Sequence, residues 1–260
     1  MKKISDRLFY VGVNDDDKVL FEGLWPLPVG VSYNSYIVKD EKVALIDTVE
    51  SGFEEEYLAN IDEALEGRAI DYLVVNHMEP DHSSLISLML ERYPDLKIVA
   101  NSKTVPMLSG YYAVPQERVA VMGEGESLDL GSCSLRFHMI PMVHWPETMV
   151  TWLEEEGTLV SGDAFGTCGS IDDDAVDSEG TFDEFRDEMM RYYSNIVGKY
   201  GNPVQSALKK LSVLEIKRIC STHGPVWEKN IPQVVSLYDK MSRYETERGV
   251  CIVYGSMYGN

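Results

Sequence analysis

The sequence predicts a mixed fold of strands and helices, α+β in class, and two features of its 260 residues lead to this prediction. The N-terminal third contains three short, apolar runs at 8–13, 31–38 and 43–47, separated by polar and Gly/Pro-rich segments, which is typical of a β-meander. Further along the chain, segments with helical spacing of apolar residues alternate with short apolar runs. The first such pair is a helix predicted over 53–65 and a strand predicted over 70–75.

The same periodicities predict the remaining elements. Helices are predicted at 83–92, 182–197, 203–214 and 231–247, and strands at 96–100, 135–141, 158–161 and 216–220. A new strand at 250–254 follows the last helix and changes the pattern. We therefore predict a boundary near residue 249, with one domain at 1–248 and the beginning of another at 249–260.

The charge balance limits the partners that we expect. The chain has 43 acidic and 23 basic residues and a formal net charge of −20, which repels nucleic acid and anionic membrane surfaces. An acidic balance also occurs in halophilic and in ordinary soluble bacterial proteins. No stretch reaches the ~20 apolar residues of a membrane span. Charged Asp6 and Arg7 follow the first basic residues, where a secretory signal would have an apolar segment, so the sequence predicts a cytoplasmic protein without nucleic-acid or membrane partners.

Cysteine usage indicates buried thiols and no thiolate metal site. The four cysteines are widely spaced, lie mostly in apolar runs and form no C-x-x-C pair; they are Cys133, Cys168, Cys220 and Cys251. An electron donor that relies on a thiolate-bound metal would therefore be a separate protein.

One short segment concentrates potential metal ligands. Four of the six residues from His77 to His82 can bind a metal, namely His77, Glu79, Asp81 and His82. Pro80 and the apolar run before the segment predict a loop between a strand and a helix, where side chains can converge on one point. Spacing alone fits an exposed polar turn equally well.

Three further residues favour the metal site. His144, Asp163 and His223 each come just after a predicted strand, whereas His138 lies inside one, as a hydrogen-bonded core histidine would. Two divalent metals need roughly eight to ten coordinating positions, which imidazoles and bridging carboxylates supply without thiols. The sequence therefore predicts a two-metal site formed by seven residues: His77, Glu79, Asp81, His82, His144, Asp163 and His223.

Four segments carry a close resemblance to one protein family. They are the H-x-E-x-D-H motif at 77–82, His144-Trp145-Pro146-Glu147-Thr148-Met149, Ser161-Gly162-Asp163-Ala164-Phe165-Gly166, and Ser221-Thr222-His223-Gly224-Pro225-Val226-Trp227. These segments resemble the flavodiiron proteins, also called A-type flavoproteins, and the resemblance extends from Tyr33 to the end of the chain. It implies a metallo-β-lactamase-like αββα sandwich, in which two mixed sheets are flanked by helices.

The resemblance also implies a place for each candidate ligand. One iron would be held by His77, Glu79 and His144, and the other by Asp81, His82 and His223, with Asp163 and a hydroxide bridging the two. Hydrolytic members of the fold usually have a second histidine at the position of Glu79. The added carboxylate makes the site harder and more anionic, which suits iron better than zinc.

Aromatic residues near these segments have more than one interpretation. Tyr193 matches a family tyrosine that offers its hydroxyl to a metal-bound intermediate, although bulky aromatic residues on a helix also serve as core. Trp25, Trp145 and Phe165 are candidates for shielding the pocket, and burial alone would also explain them. Some family members have a pocket histidine where this chain has residues 21–23, Phe-Glu-Gly, so the substrate preference is left open.

The last residues resemble the beginning of a flavodoxin phosphate loop, which holds the phosphate of FMN. The matching positions are Ser256, Met257, Tyr258, Gly259 and Asn260. The rest of a flavodoxin domain does not follow in this sequence, so we expect no stable FMN site from this chain alone. Either the sequence is a piece of a longer protein or a natural chain has been shortened.

The resemblance implies the diiron domain of an oxidoreductase that reduces dioxygen to water, nitric oxide to nitrous oxide, or both. Electrons would pass from a rubredoxin-like donor through FMN to the irons, in a homodimer or homotetramer. Two alternatives are a dizinc hydrolase, in which the metals activate water, and an inactive domain that serves in assembly. The complete set of seven ligands argues against the inactive domain, and Glu79 argues against the hydrolase.

Overall fold

Two mixed β-sheets face each other in this protein, and helices cover the outer side of each sheet. A computed structural model describes residues 1–21, 23–171 and 174–250. The strands of the described residues are, in chain order, β1 (Lys2–Lys3), β2 (Leu8–Tyr10), β3 (Val13–Asp15), β4 (Leu20–Phe21), β5 (Trp25–Pro26), β6 (Val31–Tyr33), β7 (Tyr36–Lys39), β8 (Val43–Ile46), β9 (Tyr72–Val74), β10 (Lys97–Ala100), β11 (Val119–Val121), β12 (Ser127–Asp129), β13 (Ser134–Met139), β14 (Met149–Leu153), β15 (Thr158–Gly162) and β16 (Arg218–Ser221).

Seven α-helices connect or cover these strands within the described ranges. They are α1 (Glu54–Leu65), α2 (Pro80–Ser83), α3 (Ile86–Arg92), α4 (Thr104–Tyr112), α5 (Thr181–Ile196), α6 (Gly201–Leu211) and α7 (Ile231–Ser242). Short 3-10 helices occur at Gln116–Arg118, Glu154–Glu156 and Gly198–Tyr200. None of these helices has the length and apolar character that crossing a bilayer requires.

Both main sheets combine antiparallel and parallel pairs. The first has the order β1-β2-β7-β8-β9-β10-β11; its pairs are antiparallel up to β8 and parallel from β8 to β11. The second has the order β12-β13-β14-β15-β16, and only its last pair, β15 with β16, is parallel. Two small antiparallel pairs, β3 with β6 and β4 with β5, complete the described strands.

Three layers of apolar side chains hold the sandwich together. The middle layer joins the inner faces of the two sheets, with Tyr36 and Val74 from the first sheet against Phe137 and Cys220 from the second. A second layer packs α1, α3 and α4 on the first sheet, and a third packs α5, α6 and α7 on the second. Burial of apolar area on both faces of each sheet is the main stabilising term in such an arrangement. The predicted αββα class is confirmed.

The structure divides two of the predicted N-terminal strands. The run 8–13 forms β2 and β3, and the chain turns at Gly12, where a Cβ would lie only 2.4 Å from the carbonyl oxygen of Tyr33. The run 31–38 forms β6 and β7, which belong to different sheets. The two apolar runs therefore predicted strands correctly, but they did not show where the chain passes from one sheet to another.

Other differences concern helix ends and elements that the sequence did not reveal. The helix predicted over 231–247 ends at Ser242, because Tyr244 adopts a left-handed conformation with φ of 56°. The helix predicted over 83–92 begins only at Ile86, as α3, and the short helix α2 (Pro80–Ser83) lies mostly in the segment predicted to be a loop. Strand β14 and helix α4 were not predicted. Most of the expected segment 249–260, including the strand at 250–254 and the FMN-loop residues 256–260, lies outside the described residues.

Candidate metal centre

The carboxyl ends of four strands bring the predicted ligands together. Strands β13 and β15 run in the same direction, since each is antiparallel to β14, and β16 is parallel to β15. His144, Asp163 and His223 follow these three strands and therefore lie at one edge of the second sheet. His77 follows β9 at the adjoining edge of the first sheet. Convergence of strand ends is the usual way in which sheet folds build a site.

The short helix α2 positions two more candidate ligands. Pro80 occupies the first helical position, where its missing N–H costs nothing, and Asp81 and His82 follow it. The hydroxyl of Ser83 donates to the carbonyls of Met78 and Glu79, both at 3.0 Å, and closes the turn. This geometry presents side chains from both sides of the proline toward the same point.

The first group of candidate ligands comprises His77, Glu79, His144 and Asp163, whose ligand atoms all lie within 4.8 Å of one another. Nε2 of His144 is 2.8 Å from Oε2 of Glu79 and 2.8 Å from Oδ2 of Asp163. Nε2 of His77 is 3.2 Å from the same Glu79 oxygen and 3.4 Å from the same Asp163 oxygen.

The second group comprises Asp81, His82 and His223, whose ligand atoms also lie within 4.8 Å of one another. Oδ2 of Asp81 is 3.4 Å from Nε2 of His82 and 3.3 Å from Nε2 of His223. Oδ1 of Asp163 is 3.1 Å from Nε2 of His82, so the two oxygens of Asp163 face different groups. All seven predicted residues are therefore brought together, in two groups with Asp163 between them.

Several buried polar atoms at this point have no hydrogen-bond partner, and a cation would provide one. They include both oxygens of Asp81, both ring nitrogens of His82 and Oδ2 of Asp163. Leaving such atoms unpaired costs free energy, so groups of this kind are found paired or bound to metal. The donors are imidazole nitrogens and carboxylate oxygens, which suit a first-row divalent metal. The residues present therefore fit a pair of metal ions.

The mutual charges of these residues shift their pKa values strongly. Burial acts to raise the pKa of the Asp163 carboxyl, but the charges of His82 and His77 outweigh it and hold that pKa well below its ordinary range. Burial likewise acts to lower the pKa of His82, but Asp81 and Asp163 raise it to about 9. Metal binding requires neutral imidazole, so a metal that binds here displaces protons.

Hydrogen bonds outside the two groups fix the histidine rings. Nδ1 of His223 donates to the backbone carbonyl of Ser32 at 2.7 Å, and Nδ1 of His77 donates to Oε1 of Glu147 at 2.9 Å. In both rings Nε2 is left facing the other ligands. Glu147 was not predicted as part of the site, although it lies in one of the segments that carried the family resemblance.

The structure corrects the prediction for Tyr193. Its ring packs against Tyr238 in the third apolar layer, with ring centroids 5.0 Å apart. The preceding residue, Tyr192, instead faces the site, and its ring centroid is 5.4 Å from that of His223. Successive residues of a helix point about 100° apart. Of the two adjacent tyrosines, Tyr192 is therefore the one whose ring contacts a candidate ligand, and Tyr193 packs in the apolar layer.

A cavity of about 450 Å³ reaches the first group from the protein surface. Glu79 and His144 line it together with Trp25 and Trp145. These two tryptophans therefore lie beside the first group, where shielding was one of their two interpretations. Phe165 is not among its lining residues; it packs against Tyr238 at 4.9 Å, so burial explains it.

Comparison with known proteins identifies the family. The family model described as ODP family beta lactamase matches residues 31–224. The chain is 31% identical to an anaerobic nitric oxide reductase flavorubredoxin of Vibrio vulnificus, over 99% of this chain and 53% of the relative. It superimposes on a mutant flavo di-iron protein of Thermotoga maritima with a TM-score of 0.88 and 28% identity, over 96% of this chain and 63% of the other.

A second solved structure extends the comparison. The rubredoxin oxygen:oxidoreductase of Desulfovibrio gigas has a TM-score of 0.86 and 30% identity, over 93% of this chain and 61% of the other. The chain thus spans about half to two thirds of the length of the relatives that it matches. The chain belongs to the ODP family of β-lactamase-like proteins, and its fold is that of the diiron domain of the flavodiiron proteins.

Proposed function

We propose that this chain is the diiron domain of an oxidoreductase that reduces nitric oxide to nitrous oxide, dioxygen to water, or both. In this assignment His77, Glu79 and His144 hold one iron, Asp81, His82 and His223 hold the other, and Asp163 bridges them. The bound irons would supply the electrons and the Lewis acidity for reduction of the gas.

The position of Asp163 carries this proposal. Its Oδ2 lies 2.8 Å from Nε2 of His144, and its Oδ1 lies 3.1 Å from Nε2 of His82, so one carboxylate serves both groups. A carboxylate shared in this way is what a two-metal site requires. Glu79 adds a carboxylate to the first group, and this harder donor set favours iron over zinc.

The cavity supports a small substrate. Trp25 and Trp145 contribute apolar surface beside Glu79 and His144, and polar residues such as Lys199 line the rest of the cavity. A small uncharged gas enters such a cavity without electrostatic repulsion, whereas an anionic ester would meet the carboxylates of a strongly acidic chain.

Electron supply is also part of the proposal. The names of the relatives, flavorubredoxin and rubredoxin oxygen:oxidoreductase, support electron transfer from a rubredoxin-like donor. FMN would be the intermediate carrier, in a flavodoxin-like domain that begins within 249–260 and uses residues 256–260 at the FMN phosphate. We further propose a cytoplasmic homodimer or homotetramer.

The test is gas consumption by the iron-loaded chain. The protein is loaded with Fe(II) under anaerobic conditions, supplied with a reduced flavodoxin, and given nitric oxide or dioxygen in separate experiments. We expect about two irons per chain and consumption of at least one gas. A Glu79→Ala variant should lose this activity, whereas Glu50→Ala, which removes a carboxylate paired with Lys18, should retain it. Two zinc ions with esterase turnover and no gas consumption would refute the proposal.

A further inference from the structure

Glu147 is a buried carboxylate to which the proposed function gives no role. Its side chain has 0% exposure, and it lies in the turn that follows His144. Its Oε1 accepts a hydrogen bond from the backbone N–H of Met78 at 3.1 Å and another from Nδ1 of His77 at 2.9 Å. Its Oε2 has no hydrogen-bond partner. Burial of a carboxylate with an unpaired oxygen is costly, so the contact with His77 is the main feature that compensates for it.

The turn that carries Glu147 is held firmly in place. The side-chain amide of Asn101 donates to the carbonyl of Glu147 at 2.5 Å, and the hydroxyl of Thr148 donates to the carbonyl of Trp145 at 2.9 Å. The same turn begins with His144, a candidate ligand of the first group. One segment therefore contributes a ligand directly and fixes the orientation of a second ligand.

The two sides of the centre differ in this respect. On the other side, Nδ1 of His223 donates to the neutral backbone carbonyl of Ser32. Each group has one carboxylate of its own, Glu79 in the first and Asp81 in the second. Glu147 is thus an additional negative charge that touches a ligand of the first group only.

Building on the diiron assignment above, we propose that Glu147 is a positioning residue for His77 that makes the two iron positions unequal. It holds the tautomer in which Nδ1 carries the proton and Nε2 is available to a metal. Its charge stabilises the higher charge state of the iron on the His77 side. That iron is then oxidised first and reduced last, so a half-reduced centre holds its ferric ion on that side.

Glu147→Gln tests this assignment, because it keeps the shape and an acceptor oxygen but removes the charge. Asp177→Asn is the matched control: Asp177 is also a buried carboxylate, but it accepts hydrogen bonds from the backbone N–H groups of Glu228 and Asn230. The iron-loaded full chains are compared by chelator competition and by potentiometric titration. We expect Glu147→Gln to weaken one of the two iron-binding steps by about 10- to 100-fold.

Glu147→Gln should also raise the lower of the two midpoint potentials, by about 59 mV for each tenfold change in the ferric/ferrous ratio. Asp177→Asn should change neither quantity. Binding constants and potentials for Glu147→Gln equal to those of Asp177→Asn would overturn the inference. The two-iron stoichiometry and gas consumption of the unmodified chain test the proposed function separately, so a chain that passes both tests can still refute the role of Glu147.

A second variant covers the case in which Glu147→Gln does not fold. Glu147→Asp keeps the charge but withdraws the carboxylate by one methylene, so it should weaken the same binding step and leave the potentials closer to those of the unmodified chain. A Glu147→Asp chain that binds both irons as tightly as the Asp177→Asn control would overturn the positioning role.

Discussion

Gly224, the residue after His223, offers a sharp test of how the second group is positioned. Its φ is +79°, and a Cβ added there would lie 2.1 Å from Cγ2 of Thr167, a fully buried side chain. Gly52 has a similar φ of +98°, but a Cβ there would meet nothing within 4 Å. Comparing Gly224→Ala with Gly52→Ala therefore separates the cost of crowding from the cost of the backbone conformation.

The expected magnitudes follow from these two terms. A left-handed conformation costs a non-glycine residue about 1–2 kcal/mol, and this cost applies to both variants. Overpacking against a buried side chain adds about 1–3 kcal/mol, and this cost applies to Gly224→Ala alone. Alanine also reduces the entropy of the unfolded chain, but equally at both positions. At about 2–4 °C per kcal/mol, Gly224→Ala should melt roughly 2–12 °C below Gly52→Ala.

The assay is differential scanning calorimetry of the metal-free proteins, since bound metal would add its own stabilisation. Iron binding provides the second readout. Gly224 donates its N–H to the hydroxyl of Ser32 at 2.8 Å and accepts from the side chain of Asn34 at 2.8 Å, so displacement here moves His223. Gly224→Ala should bind about one iron and Gly52→Ala about two. Equal melting temperatures and equal iron contents for the two variants would refute this reasoning.

Three further predictions concern other parts of the structure. Asp163→Asn should reduce bound iron to less than one per chain, because Asp163 faces both groups; metal analysis checks this, and an unchanged iron content would contradict the bridging role. Tyr193→Phe should leave iron content and gas consumption unchanged, because its ring faces Tyr238; a loss of gas consumption at full iron content would contradict the correction made above. Burial acts to raise the pKa of Asp40, but hydrogen bonds from Ser132 and Cys133 outweigh it and lower that pKa from 3.8 to about 2. The folded-state pKa is depressed, so this contribution to stability is fully present above pH 3.8 and is lost as the pH falls through about 2. Urea unfolding should accordingly find Asp40→Asn less stable than the unmodified chain at pH 7, with a difference that shrinks as the pH falls toward 2, and a difference independent of pH would contradict this.

The sequence predicted that the seven candidate ligands lie together, because they follow the carboxyl ends of strands, and strand ends can be identified from local apolar runs. It predicted the helix α5 but not which of two adjacent tyrosines faces the site, since both are buried aromatic residues. The helix α4 was missed because Pro106 and Gly110, which usually interrupt helices, lie inside it.

A long-range contact explains the omission of Glu147. Glu147 was missed as a partner of His77 because the two residues are 70 positions apart in the chain and become adjacent only when the two sheets pack together. Local pattern carries no information about such a contact.

The central claim is that Asp163 joins two irons into one centre. Mössbauer spectroscopy of the anaerobically loaded chain, combined with an iron count, tests it most directly. The account predicts about two irons per chain in two equally populated environments that are magnetically coupled. A single iron per chain, or two irons without coupling, would contradict it.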